Sequence, residues 1–259
     1  MNLIKDGDTI KIYFENRKTF ITKVKASPYH THLGMVNMEE FIGKPYGYHG
    51  YTNKNKSYFI MKPTLDDMIM KIKRATQVSY PKDLSYAIFK MGIRNGDKVI
   101  EAGCGSGAST TAFAYYVGEN GKVVSYEKRS EFIDLAKENL SRFDLENRAI
   151  FKNRDIEDGF DEEDSDAVAF FLDVKTPWVY MDKIKGLLKT GAFLCVLCPT
   201  TNQISETLKV MEDGFIDVNV VEIMMRWYKT NPERIRPEDK MIGHTAYLLF
   251  GRRINGENS

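Results

Sequence analysis

Ten residues, Glu101-Ala-Gly103-Cys-Gly105-Ser-Gly107-Ala-Ser-Thr110, carry the sharpest chemical signal in this 259-residue chain. They leave an apolar run, Lys98–Gly103, that reads as a strand, and they open Thr110–Val117, which reads as a helix. Glycines at such a turn let the backbone bend tightly and approach a ligand with no side chain in the way. A nicotinamide fingerprint spaces its glycines G-x-G-x-x-G so that a pyrophosphate reaches the helix N-terminus. Here the spacing is G-x-G-x-G. Glu101, inside the strand end, would repel a pyrophosphate but could hold a cationic ammonium. No Gly-Lys-Ser/Thr follows, which excludes a Walker loop.

Two further acids fall at comparable places. Glu127 ends the next strand, twenty residues past Gly107, where a carboxylate can accept hydrogen bonds from both hydroxyls of a ribose. Together with the loop and Glu101 it fits S-adenosylmethionine better than a dinucleotide. Asp155 follows the third strand and is placed to reach an adenine amino group, the plainer reading being a surface acid. Asp173 ends the apolar run Asp166-Ala-Val-Ala-Phe-Phe-Leu-Asp173. A nearly buried charge needs a partner, and ligands of open α/β sheets sit outside the strands' carboxyl ends, so Asp173 reads as functional.

Metal chemistry finds less support. Cys195 and Cys198 lie three apart on a strand, which sends them to opposite faces, and no second cysteine pair exists, so they read as core. His30 and His32 lack a third ligand. The acidic stretch 155–166, eight Asp/Glu in twelve residues, reads as a solvated loop, without the ligand spacing of a calcium site. No metal site is expected.

These residues need elements to hold them. The first 60 or so residues read as short strands and turns: Thr9–Phe14 and Thr19–Val24 partly alternate, with Asn16 near the turn. Residues 64–74 switch to helical spacing, with Thr64 a cap over Asp67. From residue 83 helix and strand alternate: helices at Asp83–Met91, Thr110–Val117, Ser130–Phe143, Trp178–Leu188 and Ile204–Asp213, and strands at Lys98–Gly103, Lys122–Glu127, Ala149–Lys152, Asp166–Asp173 and Ala192–Cys198. Ile216–Met224 and His244–Arg253 are strands joined with no long helix. This predicts an α/β doubly wound sheet closed by a strand hairpin, with domains at 1–63 and 64–259.

Composition agrees with a soluble globular chain: 42% apolar and 28% charged residues, three cysteines, and no apolar run near the roughly 20 residues of a membrane span. The N-terminus lacks a signal peptide's apolar core, and a reducing, cytoplasmic location with no membrane contact is expected. Net charge is +1, but unevenly spread. Residues 1–74 carry 13 Lys/Arg against 7 Asp/Glu, and Arg226 to Arg253 seven basic residues against three acids. Such regions suit a polyanionic partner, although a solvated lysine face explains the first nearly as well.

The chain resembles the tRNA (adenine-N1)-methyltransferases of archaea and bacteria, along nearly its whole length. The resemblance rests on Thr76-Gln77-Val78-Ser79-Tyr80-Pro81-Lys82-Asp83, the glycine loop, Asp173…Pro177-Trp178, Pro199-Thr-Thr-Asn-Gln203, and Arg236-Pro237…Met241-x-Gly243-His244-Thr245-Ala-Tyr-Leu248. It implies a seven-stranded Rossmann-like S-adenosylmethionine-dependent methyltransferase sheet behind a small N-terminal β domain, assembled as a homotetramer. It implies methylation at N1 of adenine 58 in the tRNA T-loop, with adenine 57 as a further acceptor in this type. Carried over by position, Gly103 and Ser106, Gly107, Ala108 and Ser109 meet the methionine portion of the cofactor, Glu127 its ribose and Asp155 its adenine. Asp173 lies beside cofactor and target base as a catalytic residue, with Tyr80 as a second and Gln77 in the pocket wall. One departure stands out: Asp173-Val-Lys175-Thr176-Pro177-Trp178 replaces the usual Asp-Leu-Pro-x-Pro-Trp, which frees the loop and adds a cation. The alternative is an isoaspartyl-type protein methyltransferase or a small-molecule methyltransferase. A silent RNA-binding subunit would usually have lost the glycine loop.

Overall fold

The computed structural model describes residues 3–75 and 77–255. Thr76 and the outer ends of the two expected domains, Met1 and Ser259, lie outside the described residues. The chain divides into two compact units, Met1–Ile72 with Ser141–Asp144, and Lys73–Leu140 with Leu145–Ser259.

In the first unit, alternation of apolar and polar residues gives a sheet with one core face. β1 (Thr9–Phe14) buries Ile10, Ile12 and Phe14 and leaves Thr9, Lys11 and Tyr13 half-buried. It pairs antiparallel with β2 (Thr19–Lys23), Ile12 opposite Phe20. β3 (Tyr29–Thr31) and β4 (Gly34–Val36) form a separate hairpin. β5 (Tyr48–Tyr51) and β6 (Ser57–Met61) complete a four-stranded sheet in the order β2-β1-β6-β5. The helix foreseen after residue 64 is α1 (Leu65–Met70), with the full Thr64–Asp67 capping box. It belongs to this first unit rather than opening the second. Lys11 of β1 reaches Asp67 at 2.5 Å, and Ile69 is buried. Helical spacing marks a change of secondary structure, whereas packing decides which unit owns it.

The second unit contains the seven-stranded α/β sheet. Its elements are α2 (Pro81–Met91), β7 (Lys98–Ala102), α3 (Ala108–Val117), β8 (Lys122–Glu127), α4 (Ser130–Ser141), β9 (Ala149–Asn153), β10 (Ala167–Leu172), α5 (Met181–Lys185), β11 (Leu188–Cys198), α6 (Thr201–Met211), β12 (Phe215–Glu222), the short β13 (Tyr228–Lys229) and β14 (Arg236–Pro237), and β15 (Tyr247–Arg253). The order is β12-β15-β11-β10-β7-β8-β9, parallel from β7 to β11, with β15 antiparallel to both its neighbours. Ala169, Phe170, Phe171 and Leu172 of β10 are fully buried, as a central parallel strand covered on both faces requires. Cys195 and Cys198 are free and buried, as core.

Two expectations change. The helix foreseen over Trp178–Leu188 is a 3-10 turn, Pro177–Tyr180, followed by the short α5, and Leu188 already begins β11, paired with Ala167. The acidic stretch is also not simply solvated. It forms two 3-10 turns, Ile156–Asp158 and Glu162–Asp164. Lys152 lies 2.7 Å from both Asp161 and Glu163, and buried Asp164 accepts the Tyr126 hydroxyl.

Chain direction explains where a site can form. From β7 the strands add outward through β8 to β9, then the chain returns to place β10 on the other side of β7. A crevice opens at such a reversal, at the strands' carboxyl ends. The glycine turn there is fastened from behind by α4. Asn139, fully buried, donates to the Ser106 and Lys73 carbonyls at 2.9 Å each and accepts from the Lys73 N–H at 2.8 Å. Replacing it with leucine strands buried backbone groups, each costing about 1–3 kcal/mol. Asn139→Leu is expected to lower the unfolding free energy by at least that much in chemical denaturation, and a change below about 0.5 kcal/mol would contradict this role.

Candidate functional site

Four strand ends build the site, held in register by backbone bonds that continue past the strands. Gly103 N–H donates to the Tyr126 carbonyl at 2.9 Å, Asp173 N–H to Ala102 at 2.9 Å, and Arg154 N–H to Glu127 at 3.1 Å. Two of the glycines are geometrically required. Gly103 has φ +90°, and a Cβ there would run into the Asp173 carbonyl; Gly107 has φ +81°, and its Cβ would lie 2.8 Å from that of Ala136. The turn can be this tight only without side chains. Gly107 caps α3 with no side-chain bond of its own, which leaves the positive end of the helix facing the loop.

A cavity of about 540 Å³ lies over these strand ends, within the range of small-molecule sites. Gly103, Glu127, Asp155 and Asp173 line it, together with Arg129, Lys175 and Tyr180. A smaller cavity of about 160 Å³ is lined by Gln77, Ser79, Tyr80, Asp83, Asp173 and Thr245 among others. Asp173 lines both. The residues named from the sequence thus divide between two separate cavities, which the sequence did not show to be two.

The remaining residues of the glycine loop stand behind the wall. Gly105 is half-buried and Ser106, Gly107, Ala108 and Ser109 are buried; none of them lines the larger cavity. Glu101 is fully buried. Its oxygens accept the hydroxyls of Ser109, of Thr110 at 2.5 Å and of Ser125 at 2.8 Å. Hydrogen bonds to a charged group contribute about 1.5–3 kcal/mol each, which offsets part of the cost of burying the carboxylate. Glu101 thus ties the first turn of α3 to β8, and its oxygens face these hydroxyls.

The other acids are held individually. Glu127 accepts the Arg129 N–H at 3.1 Å and the Gly105 N–H at 3.4 Å. Asp155 caps the following 3-10 turn through the Glu157 N–H at 3.1 Å and meets Lys128 at 3.3 Å, which holds its carboxyl below the ordinary range. Half-buried Asp173 behaves oppositely. Burial, then the negative charges of Glu101 and Glu127, push it up to about 7, against the bond donated by Ser79. Tyr80, half-buried, stands just before Pro81 at the start of α2. Among the described residues, no group of three or more His, Cys, Asp or Glu could hold a metal ion.

Several contributors have no local sequence signature. Arg129 and Tyr180, which line the larger cavity, are ordinary residue types that nothing in the sequence singled out.

Over residues 56–245 the sequence matches the family described as the tRNA methyltransferase complex GCD14 subunit. It is 32% identical to the tRNA (adenine(57)-N(1)/adenine(58)-N(1))-methyltransferase TrmI of Methanocaldococcus jannaschii, with 92% of each chain covered. It is 31% identical to the tRNA (adenine(58)-N(1))-methyltransferase TrmI of Thermus thermophilus, covering 92% of this chain and 94% of that one. Two solved structures are similar across 98% of this chain. One is a SAM-dependent O-methyltransferase from Thermotoga maritima, TM-score 0.89 with 42% identity and 96% of that chain covered. The other is the tRNA (m1A58) methyltransferase TrmI from Aquifex aeolicus, TM-score 0.82 with 35% identity and 100% covered.

The raised Asp173 carboxyl has a stability consequence. Its group moves from 3.8 to about 7, so between those values the folded protein holds a proton that the unfolded chain releases. The wild-type protein therefore loses stability as pH rises through that window. Asp173→Asn has no such group to ionise. Its melting temperature relative to wild type is expected to climb from pH 4 to pH 8; thermal melts showing a pH-independent difference would refute this.

Proposed function

This chain belongs to the tRNA methyltransferase family of the GCD14 subunit, and on that premise we propose that it methylates N1 of adenine 58 in the tRNA T-loop, using S-adenosylmethionine. The observation that carries the reading is the position of Asp173, at the wall shared by a cofactor-sized cavity and a smaller one. A group transferred between two ligands must cross such a junction.

The larger cavity fits the cofactor chemically. Glu127 would accept the ribose hydroxyls, Asp155 would meet the adenine end, and Gly103 would shape the methionine end, with the loop from Gly105 to Ser109 backing the wall rather than lining it. The carboxylates Glu101, Glu127 and Asp173 create a negative field suited to a cationic sulfonium and ammonium. S-adenosylmethionine supplies a methyl group on a positively charged sulfur. A neighbouring cation also draws the Asp173 carboxyl down from about 7, so the site is expected to pass from partly protonated to ionised as it fills.

The smaller cavity takes the target base. An adenine inside folded tRNA must be extracted before its N1 can align with a methyl group, and Tyr80 offers an aromatic face for the unpaired base, with Gln77 in the wall. N1 is already largely unprotonated near neutrality, so no strong base is needed. Methylation leaves positive charge on the ring. Ionised Asp173 stabilises that charge as it develops, which is more effective than stabilising the ground state. Lys175, in the larger cavity's wall, brings a cation to the loop after Asp173.

The net positive N-terminal residues and the arginines beyond Met225 would meet the phosphates of tRNA. Assembly as a homotetramer belongs to the same proposal. Ile216, Val218 and Val220 of the edge strand β12 are 53%, 37% and 39% exposed, apolar surface that an assembly would cover. No described helix is long and apolar enough to cross a membrane; a cytoplasmic site of action is part of the proposal. A protein or small-molecule acceptor is not favoured, since the tRNA enzymes of Methanocaldococcus and Thermus match along 92% of this chain.

Incubation of unmodified tRNA with the protein and methyl-labelled S-adenosylmethionine, followed by nuclease mapping and mass spectrometry, is expected to place the label on N1 of adenine 58. Label on a ribose oxygen, or on no nucleoside at all, would defeat the proposal. In single-turnover kinetics with saturating cofactor and tRNA, Asp173→Ala is expected to slow methyl transfer by more than about tenfold, or about 1.4 kcal/mol. A smaller loss would remove its charge-stabilising role.

A further inference from the structure

Lys82, Asp83 and Thr245 form a network on the wall of the smaller cavity that the reaction above does not use. Lys82 Nζ donates to Asp83 Oδ1 at 2.8 Å, to the Thr245 hydroxyl at 2.5 Å and to the Ile223 carbonyl at 2.7 Å. The Thr245 hydroxyl in turn donates to Asp83 Oδ2 at 2.7 Å. The ion-paired side chains of Lys82 and Asp83 are only 9% and 1% exposed. All three ammonium N–H groups are engaged, and each carboxylate oxygen accepts a bond. A network closed in this way has no donor left to offer a substrate, so its contribution must lie in what it holds together.

It holds the two ends of one excursion of the chain. Ile223 follows β12 and Thr245 precedes β15, and between them the chain leaves the sheet, with only the two-residue strands β13 and β14 paired within it. Such a short ribbon is marginal on its own. His244 adds a second tie at the same place: Nε2 donates to the Pro199 carbonyl at 2.9 Å and Nδ1 to the Glu222 carboxylate at 2.6 Å. Pro199, Asp83 and Thr245 all line the smaller cavity. The arm so anchored exposes Met224, Trp227, Tyr228, Ile235 and Ile242, at 69%, 70%, 51%, 70% and 54%, beside Arg226 and Arg234. Aromatic faces with interspersed arginines suit unstacked bases and phosphates.

We propose that Lys82, acting through Asp83 and Thr245, is a positioning residue that pins the base of the 224–244 arm to the rim of the target-base pocket. The arm then meets tRNA in a fixed relation to the adenine that enters the pocket. Nothing local would supply this, because Lys82 and Thr245 are 163 residues apart. The inference rests on the tRNA reading above, and its test separates the two.

Thr245→Val keeps the side chain's shape and the Lys82–Asp83 pair but removes the bridging hydroxyl. Hydrogen exchange of the 224–244 backbone in full-length protein is expected to speed up at least about tenfold, with the KM for tRNA rising comparably. Adenosylhomocysteine affinity should stay within about twofold, and Thr245→Ser, which restores the hydroxyl, should recover both readouts. Lys82→Met is expected to give the stronger form of the same pattern, and should it not fold, the valine variant decides alone. An arm that exchanges at the wild-type rate in the folded valine variant overturns the pin. A loosened arm with an unchanged KM overturns its positioning role. Wild-type protein that leaves tRNA unmethylated, while Thr245→Val still loosens the arm, overturns the tRNA reading and keeps the pin.

Discussion

Three carboxylates gathered at the carboxyl edge of one parallel sheet set the conditions that the rest of the site must meet. Glu101 and Asp173 end neighbouring strands, and Glu127 ends the strand on the other side of β7. Burial raises the carboxyls of Glu101 and Asp173, and the neighbouring negative charges add to the effect. The protein answers each differently. Glu101 receives three hydroxyls. Glu127 receives the backbone N–H groups of Gly105 and Arg129. Asp173 has Ser79 and is pushed up to about 7, so it keeps part of its proton. Burial raises the Glu101 carboxyl as well, but of these two raised acids only Asp173 lines both cavities.

That arrangement costs stability and supplies function. A site ready for a cation is, before the cation arrives, a cluster of repelling or half-protonated acids. Under the proposed function, the same negative field would favour a sulfonium ligand and later a methylated, positively charged base. The backbone contributes to the same end. Gly103 lets β7 turn directly beneath the Asp173 carbonyl, and Asn139 holds the loop from behind through the Ser106 carbonyl and ties it to Lys73 by two further hydrogen bonds.

The two cavities differ in how their walls are made. The strand ends of a single sheet and the turns that follow them make the larger one, so sheet register places most of its acids. The smaller one is assembled from segments far apart in sequence, 77–83, 197–199 and 245–246. Such a wall needs cross-ties, and the Lys82–Asp83–Thr245 network and His244 provide them. Breaking one partner of a buried ion pair leaves an uncompensated charge, so a network of this kind keeps its geometry firmly once formed.

How much of this the sequence determined follows from the range of each interaction. Alternation in β1, the both-face apolar run of β10, the capping box at Thr64 and the glycine spacing are local patterns, and they gave the elements, the sheet type and the candidate acids directly. Where a strand ends, an acid after it faces the crevice, so Glu127, Asp155 and Asp173 were legible before any packing was known. Packing alone decided the rest. Glu101 has the position of a ligand-holding acid, yet its oxygens face Ser109, Thr110 and Ser125. The apolar stretch through Leu188 has helical spacing, but pairing with Ala167 draws its end into β11. α1 has the pattern of a new start and belongs to the first unit. Lys82 and Thr245 stand in separate motifs, and only the return of β15 between β11 and β12 brings them within hydrogen-bonding reach. Periodicity records what a residue's near neighbours require, whereas a contact across 163 residues exists only once the order of the strands is set.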